Sequence, residues 1–443
     1  MTVSIKKMIY MTCFLFFPLA VTGTGVSAGD AANRPPELER LISEAVASNR
    51  GLRAVAARAA SLDKAIPSAG ALDDPVLGLA LANMPTDTFD FDQEPMTQKQ
   101  FFVSQKIPWF GKLSLKEKMA ALDADRQSAV LEKQKRQLIR KVSGKFYQLW
   151  YVERALANNL RLKELLTQVR EVTETGYASG KAQEKDLIQA QLEISRNTDE
   201  RITLQAERRS LDRDINGILN RDRFQSVTTP SALPQPETAL DRDSLKQALM
   251  NSNPEIRILR IELQKAELES ELAGRNFWPD SEWRLTYGQR DDINGQEMAD
   301  FLSASVMFNV PLWQGRKQAP LRDAKRELTG SARMALEDLL STLPYELDAV
   351  CDEIEGLIKN YRFYTDVMIN QAADLARSSM SSYQVGKLAF DIMIRAQIRQ
   401  IEVELKSDQY LRMIYTKQAE LEELTGRPIR GRVESTDQYD RNR

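Results

Sequence analysis

The residues best equipped for chemistry are few, and one type is missing altogether. The 443-residue chain contains no histidine, which removes the commonest metal ligand, the usual general base near neutral pH and every histidine-containing triad. Of its two cysteines, Cys13 lies in an apolar N-terminal run as Tyr10-Met11-Thr12-Cys13. The small residue that a lipoprotein cleavage site needs just before its cysteine is absent there, so no lipid anchor is expected. Loss of that run leaves Cys351 as the single thiol, and no internal disulfide can form. Paired carboxylates, the arrangement acid–base chemistry would use, occur at Asp73-Asp74 and Asp291-Asp292. Both sit among polar, turn-forming residues where solvation is the expected role. Met84 and Met96 carry thioethers suited to soft Cu(I) or Ag(I), but isolated loop methionines ordinarily bind nothing. No phosphate loop or dinucleotide fingerprint appears. The expectation is a chain that is not an enzyme, with no catalytic residue, no cofactor and no metal site.

The ends and the charge balance narrow the class. Lys6 and Lys7 precede an apolar run from Met8 to Val21, and small residues follow up to Val26-Ser27-Ala28. That is the layout of a secretory signal peptide over residues 1–28, too short in its apolar part for a comfortable membrane helix. Charged residues make up 28% of the chain, with 61 basic against 63 acidic and a formal net charge of −2. Such balance argues against a nucleic-acid surface and for long solvated helix faces. No later window has the roughly 18 consecutive apolar residues of a spanning helix, so any membrane crossing is expected to use β-strands.

Internal duplication is the strongest signal. Ser48-Asn49-Arg50-Gly51-Leu52-Arg53 returns as Ser252-Asn253-Pro254-Glu255-Ile256-Arg257 at an offset of 204, and Pro75 returns as Pro279 at the same offset. Ile107-Pro108 returns as Val310-Pro311 at 203, and Tyr177-Ala178-Ser179-Gly180-Lys181 as Tyr383-Gln384-Val385-Gly386-Lys387 at 206. Residues 29–220 are read as a first repeat, 221–242 as an extended linker bearing Pro230, Pro234 and Pro236, 243–426 as a second repeat and 427–443 as a polar C-terminal tail.

Each repeat shows the same order. A short helix (Glu37 to Ala47; Leu245 to Met250) precedes a medium helix (Gly51 to Ala71; Glu255 to Asn276) and a strand hairpin over about 75–108 and 281–311. A very long helix follows (about 111–175; about 315–382), then a glycine turn (176–181; 383–387), then a returning helix to 220 and to 426. In the strands, Trp283, Leu285 and Tyr287 share one face against Glu282, Arg284 and Thr286, and Leu302, Ala304, Val306 and Phe308 repeat the pattern against Ser303 and Ser305. Leu77, Leu79 and Leu81, then Phe101, Val103, Gln105 and Ile107, do so less cleanly. Each run is about 8 to 11 residues, near the 9 to 11 that a tilted membrane strand needs; a half-buried soluble hairpin is the alternative. In the long helix, Leu138, Val142, Leu149, Val152, Leu156 and Leu160 form a coiled-coil-like seam. The returning helix carries Ala190, Asn197, Leu204, Leu211 and Ile218 on one row, and Leu187, Ile194, Arg201, Arg208 and Ile215 on the next. Asn and Arg there are expected to face water. Pro344, inside the second long helix, is expected to cause a kink or local unwinding near Leu343, whereas Pro320 fits a first turn.

Four membrane strands cannot close a barrel, since the smallest barrels have about eight, and open edges in lipid leave polar groups unsatisfied. The barrel is therefore expected to be shared among copies. The duplicated order of elements resembles the TolC-like outer-membrane efflux proteins over nearly the whole chain. Ile107-Pro108-Trp109-Phe110-Gly111-Lys112 and Val310-Pro311-Leu312-Trp313-Gln314-Gly315-Arg316 are similar to that family's strand-to-helix junctions, and the two glycine segments to its periplasmic helix turns.

The resemblance implies a mainly α fold with a small membrane β part, formed from two tandem repeats. A long α-helical coiled-coil barrel would sit beneath a β-barrel completed by trimerisation. It further implies a homotrimer in the outer membrane of a Gram-negative bacterium, contacting outer-membrane lipid. The trimer would dock a periplasmic adaptor (membrane fusion) protein and an inner-membrane efflux pump of RND type, with no nucleic acid involved. Pro108, Gly111, Pro311 and Gly315 would shape the junctions, because proline ends a strand ladder and glycine permits a sharp turn. Tyr177, Gly180, Lys181, Tyr383, Gly386 and Lys387 would form the docking tip, and Asp374, Arg377 and Asp391 are gate candidates, with a plain solvated face as the alternative. The first hairpin is similar to members associated with heavy-metal efflux, with drug efflux the other option. A type I protein-secretion conduit and a pore-free periplasmic coiled-coil scaffold remain the rival readings.

Overall fold

The computed structural model describes residues 34–180, 182–236 and 240–428. The expected signal peptide, Lys181 and residues 429–443 of the expected tail lie outside the described residues. The first helix, α1 (Pro36–Ser48), starts with Pro36 where no N–H is needed and carries Glu37 and Glu39 on the positive end of the helix dipole. Leu38, Leu41, Ile42 and Ala45 recur at helical spacing and are buried. Asn49 then caps α2 (Arg50–Gly70), its Oδ1 accepting from the Leu52 amide at 2.9 Å. The second half repeats the device. After α5 (Arg242–Ser252), capped by Asp241, Asn253 Oδ1 accepts from the Glu255 and Ile256 amides at 2.8 and 3.0 Å to start α6 (Pro254–Arg275). Each asparagine has a second matching contact: Asn49 Nδ2 donates to Ile218 O at 3.1 Å, and Asn253 Nδ2 to Leu424 O at 2.9 Å.

Strands β1 (Val76–Ala82), β2 (Gln98–Ile107), β3 (Asp280–Gln289) and β4 (Phe301–Asn309) form one antiparallel sheet in the order β1-β2-β3-β4. The sheet joins both halves, since β2 pairs with β3 across the duplication. At seven residues β1 is shorter than expected. Pro75 cannot donate to the ladder before it, and Asn83, at φ 55°, turns the chain after it.

The long helix α3 (Lys112–Ala178) runs 67 residues without interruption, about 100 Å at 1.5 Å per residue. The chain returns through α4 (Glu184–Ile218). In the second half α7 (Gln318–Phe363) passes into a π-helical turn (Tyr364–Met368), then α8 (Ile369–Gln384), and returns through α9 (Phe390–Thr425). The expected unwinding near Leu343 does not occur, because α7 continues through Pro344 while Leu343 and Leu347 on either side are held in a hydrophobic core. The irregularity lies twenty residues on, in the π turn, where an extra residue per turn is accommodated. Pro320 does fall in the first turn of α7.

Three cores hold these elements. One gathers Leu38, Phe146, Leu149, Trp150 and Ile215 from α1, α3 and α4, with Val227 and Leu233 of the connecting segment. A second gathers Leu249, Ile256, Leu347, Ile354 and Leu421 of the second half, and a third, nearer the helix turns, packs Leu166 and Ala190 against Met393 and Ile394. Val142, Leu149 and Val152 of the expected α3 seam are fully buried and Leu138 and Leu156 pack beside them, but Leu160 is exposed. Asn197 does not face water. It is buried against Asn159, and each side chain donates to the other's main-chain carbonyl, Asn159 Nδ2 to Asn197 O at 3.0 Å and Asn197 Nδ2 to Asn159 O at 3.1 Å. Arg208 is paired with Glu153 and Asp212 instead of standing free. Because each bond ends on a main-chain carbonyl that any residue carries, the two side chains contribute independently, and Asn159→Leu alone is expected to cost about 0.5–1.5 kcal/mol. The Asn159→Leu/Asn197→Leu double variant should lose about the sum of the two single losses, read as thermal midpoints by circular dichroism.

Candidate functional site: an open sheet and two helix turns

The register sorts the sheet into two chemically different faces. Leu77, Val103, Leu285 and Ala304 lie side by side, as do Leu79, Phe101, Tyr287 and Leu302. These residues are largely solvent-exposed, Leu77 at 79% and Leu302 at 71%. The opposite face aligns Val76, Ser104, Arg284 and Ser305, then Gly78, Phe102, Thr286 and Ser303. There Arg284 pairs with Glu282 at 3.3 Å and lies over the Phe102 ring at 4.7 Å. A ten-residue strand spans about 33 Å, enough when tilted to cross an apolar band about 25 Å tall. Among the described residues, both outer edges, β1 and β4, lack a strand partner.

The loops at the far end of the sheet are cross-tied. Asn83 Nδ2 donates to Met96 O at 3.0 Å and Thr97 Oγ1 to Asn83 O at 3.0 Å, closing the first loop. Arg290 reaches Pro95 O at 3.1 Å, and Lys99 pairs with Asp291 at 2.8 Å, so the second loop is fastened to the first hairpin. Among the described residues no group of three or more His, Cys, Asp or Glu is placed to hold a metal ion.

At the near end the two junctions differ. After Pro108, Gly111 adopts φ 82° as the N-cap of α3, and Arg275 Nη1 donates to Phe110 O at 3.3 Å beside it. Trp109 stacks on Trp278 with ring centroids 5.1 Å apart. After Pro311 the chain instead winds a turn on the Trp313 carbonyl, which accepts from the Arg316 and Lys317 amides at 3.0 Å each. Gly315 is not left-handed there and the helix starts only at Gln318, so the turn-making role expected of Gly315 falls to Trp313 and its neighbours.

The opposite ends of the long helices are closed alike. Gly180 at φ 75° and Gly386 at φ 72° take the left-handed conformation that a helix end needs. Gly180 N donates to Tyr177 O at 3.0 Å; Gly386 N donates to Tyr383 O at 2.9 Å, and Lys387 N to Ser382 O at 2.9 Å. Tyr177 and Lys387 are exposed, while Tyr383 packs edge-on against Phe390. Above this turn Asp374 and Arg377 pair with each other at 3.6 Å, with side chains 73% and 78% exposed. Asp391 pairs separately with Arg395 on its own helix.

A seam unremarked in the sequence joins the halves. Arg140, Tyr147, Arg154 and Arg161, spaced by seven on α3, meet α9 in order. Arg140 pairs with Glu423 at 2.9 Å, Tyr147 stacks on Tyr415 at 5.0 Å, Arg154 pairs with Asp408 at 3.1 Å and Arg161 with Glu404 at 2.6 Å. The heptad spacing was its available signal. Burial pushes the Asp408 carboxyl above the usual aspartate range; the charge and hydrogen bond of Arg154 oppose this, and nearby Glu404 adds to it. A raised folded-state value means that ionised Asp408 weighs against the fold at neutral pH, and that this burden lifts as pH falls through the raised value. Asp408→Asn is therefore expected to hold or raise the thermal midpoint at pH 7, with the difference from wild type shrinking on acidification.

No protein-family model and no curated protein matches the chain. Solved structures do. The chain is similar to CusC, described with transmembrane channel formation, at a TM-score of 0.74 and 14% identity, covering 88% of this chain and 92% of that one. It is similar to the outer membrane protein VceC of Vibrio cholerae at 0.73 and 14%, covering 90% and 99%. It is similar to the open state of the Neisseria gonorrhoeae MtrE outer membrane channel at 0.69 and 15%, covering 92% and 94%. The repeated order of elements, the unclosed sheet and these matches agree: this chain has the fold of the TolC-like outer-membrane channels.

Proposed function

We propose that the protein is a passive outer-membrane export conduit, assembled as a homotrimer that draws its energy from periplasmic adaptor and inner-membrane pump partners. One observation carries this reading: a four-stranded sheet with an exposed apolar face, a polar reverse face and two edges unpaired among the described residues. No described helix is long and apolar enough to cross a membrane, and open edges are costly in lipid. Three copies supply twelve strands. Because β1 and β4 run in opposite directions in the four-strand meander, the junction from one chain to the next is antiparallel like the rest, and no edge is left.

The polar face then lines a lumen continuous with the space inside a ring of long helices. The exposed turns at Tyr177 and Gly180, and at Tyr383, Gly386 and Lys387, lie at the far end, where they suit an adaptor of matching helical hairpins. Lys181 is assigned to the same tip on sequence alone. Asp374 and Arg377 stand as gate residues, with Asp391 contributing beside the turn. The cargo is a heavy-metal cation or a drug-like compound, selected by the pump and not by this chain.

Fractionation tests the assembly. Expected is a detergent-extracted outer-membrane protein that migrates as a trimer unheated and as a monomer after boiling. A soluble periplasmic monomer would instead mark a pore-free scaffold. Asp374→Ala is expected to enlarge the small currents of a mostly closed channel, and unchanged currents would remove Asp374 from the gate.

A further inference from the structure

The polar face of the sheet carries an uneven charge. Among the strand residues that share this face by register, four are charged: Lys106, Asp280, Glu282 and Arg284. Asp280 lies at the foot of β3 and is neutralised by Lys112 of α3, whose Nζ stands 2.8 Å from Oδ1. Glu282 is left with two cations. Lys106 is its register partner on β2, and Arg284 follows two residues along the same strand, its Nη2 donating to Glu282 Oε1 at 3.3 Å. One positive charge per chain is therefore uncompensated on this face.

Arg284 sits midway along β3, in the row formed with Val76, Ser104 and Ser305. The next rows toward the loops, those of Phe102 and Gln100, contain no charge at all. Its place is fixed by a stack that crosses three strands. The guanidinium lies 4.7 Å from the centroid of the Phe102 ring, and that ring in turn covers Gly78, where an added Cβ would collide with it. Gly78 on β1 thus makes room for the ring that Arg284 of β3 rests on. Nε is buried against this stack without a hydrogen-bond partner, yet the side chain as a whole remains 37% exposed. The charge reaches solvent through the terminal nitrogens. It is also permanent, since a guanidinium stays protonated across the whole working pH range.

In a barrel of three copies, three such groups stand around the lumen at one height, and rings of charged side chains sort ions by sign. We propose that Arg284 is the charge-selecting residue of the barrel, favouring anionic over cationic solutes along this section of the path. The loop above it carries Asp87, Asp90, Asp92 and Glu94, so a solute leaving the barrel passes from a positive ring to an acidic mouth. The ring's own contribution is read as a difference between variants. The inference rests on the trimeric conduit of the preceding reading and names the residue that gives its lumen a sign.

The test is the reversal potential of the full-length trimer in a planar lipid bilayer under a KCl gradient at low ionic strength, where the screening length is about 10–30 Å. Arg284→Gln is expected to raise the ratio of K+ to Cl− permeability roughly two- to fivefold, and Arg284→Glu to raise it further. Arg284→Lys, which keeps the charge, should match wild type. Glu282→Gln removes the opposing charge and is expected to lower the ratio; it decides the matter if Arg284→Gln does not assemble. These shifts should shrink in about 1 M KCl, where the screening length is about 3 Å. Conducting trimers whose ratio is the same in wild type, Arg284→Glu and Glu282→Gln would overturn the selecting role while leaving the conduit standing. A stable wild-type trimer that does not conduct would overturn the conduit itself.

Discussion

Ala304→Arg is expected to abolish the membrane-inserted trimer, while Ser305→Arg, one residue along the same strand, leaves it assembled. The two residues are alike in size and differ in face. Ala304 aligns with Leu285 and Val103 on the exposed apolar side, and Ser305 with Arg284 and Ser104 on the polar side. A charge on the lipid face of a barrel near mid-height costs about 2–4 kcal/mol, and each trimer carries three, roughly 6–12 kcal/mol in all. A charge on the lumen face meets water and the existing Arg284–Glu282 pair. Unheated gel mobility of outer-membrane fractions gives the readout. Equal assembly of the two variants would mean that the sheet faces are not lipid and lumen.

The second large effect lies far from the sheet. Trp150 is among the largest fully buried side chains, 1% exposed, in the core where α3 meets α1, α4 and the segment between the halves. Trp150→Ala is expected to cost about 3–5 kcal/mol from lost burial and the cavity left behind, and Trp150→Phe distinctly less. Thermal unfolding in detergent followed by circular dichroism measures both. The same core fixes the connecting segment, through Val227, Leu233 and a Tyr415 hydroxyl donating to Pro234 O at 2.8 Å. The Ala variant should therefore also become more sensitive to proteolysis between residues 221 and 236.

What was legible in the sequence follows from the range of the interaction that fixes each feature. Trp283, Leu285 and Tyr287 alternate with Glu282, Arg284 and Thr286, and a period of two is a property of the strand alone. Gly180 and Gly386 end helices by their own backbone freedom. Features that need a distant partner were misread. Asn197 looked like a water-facing residue because its partner Asn159 comes from another helix. Pro344 pointed to a kink or local unwinding, but the helix does not unwind there, since tertiary packing of Leu343 and Leu347 holds it through the proline. The π turn over Tyr364–Met368 contains neither glycine nor proline, so no local signal marks it. Gly111 and Gly315 are indistinguishable as letters, and only the first uses its freedom. The arginine ladder on α3 was visible as spacing, but its meaning required α9.

The central claim is that the pore exists between chains and not within one. Single-channel recording of the purified protein in a planar lipid bilayer tests it most directly. The account predicts discrete conductance steps from trimer fractions and none from monomer separated by heating. Steps of the same size from monomer, or no steps from a stable trimer across the accessible voltage range, would contradict it.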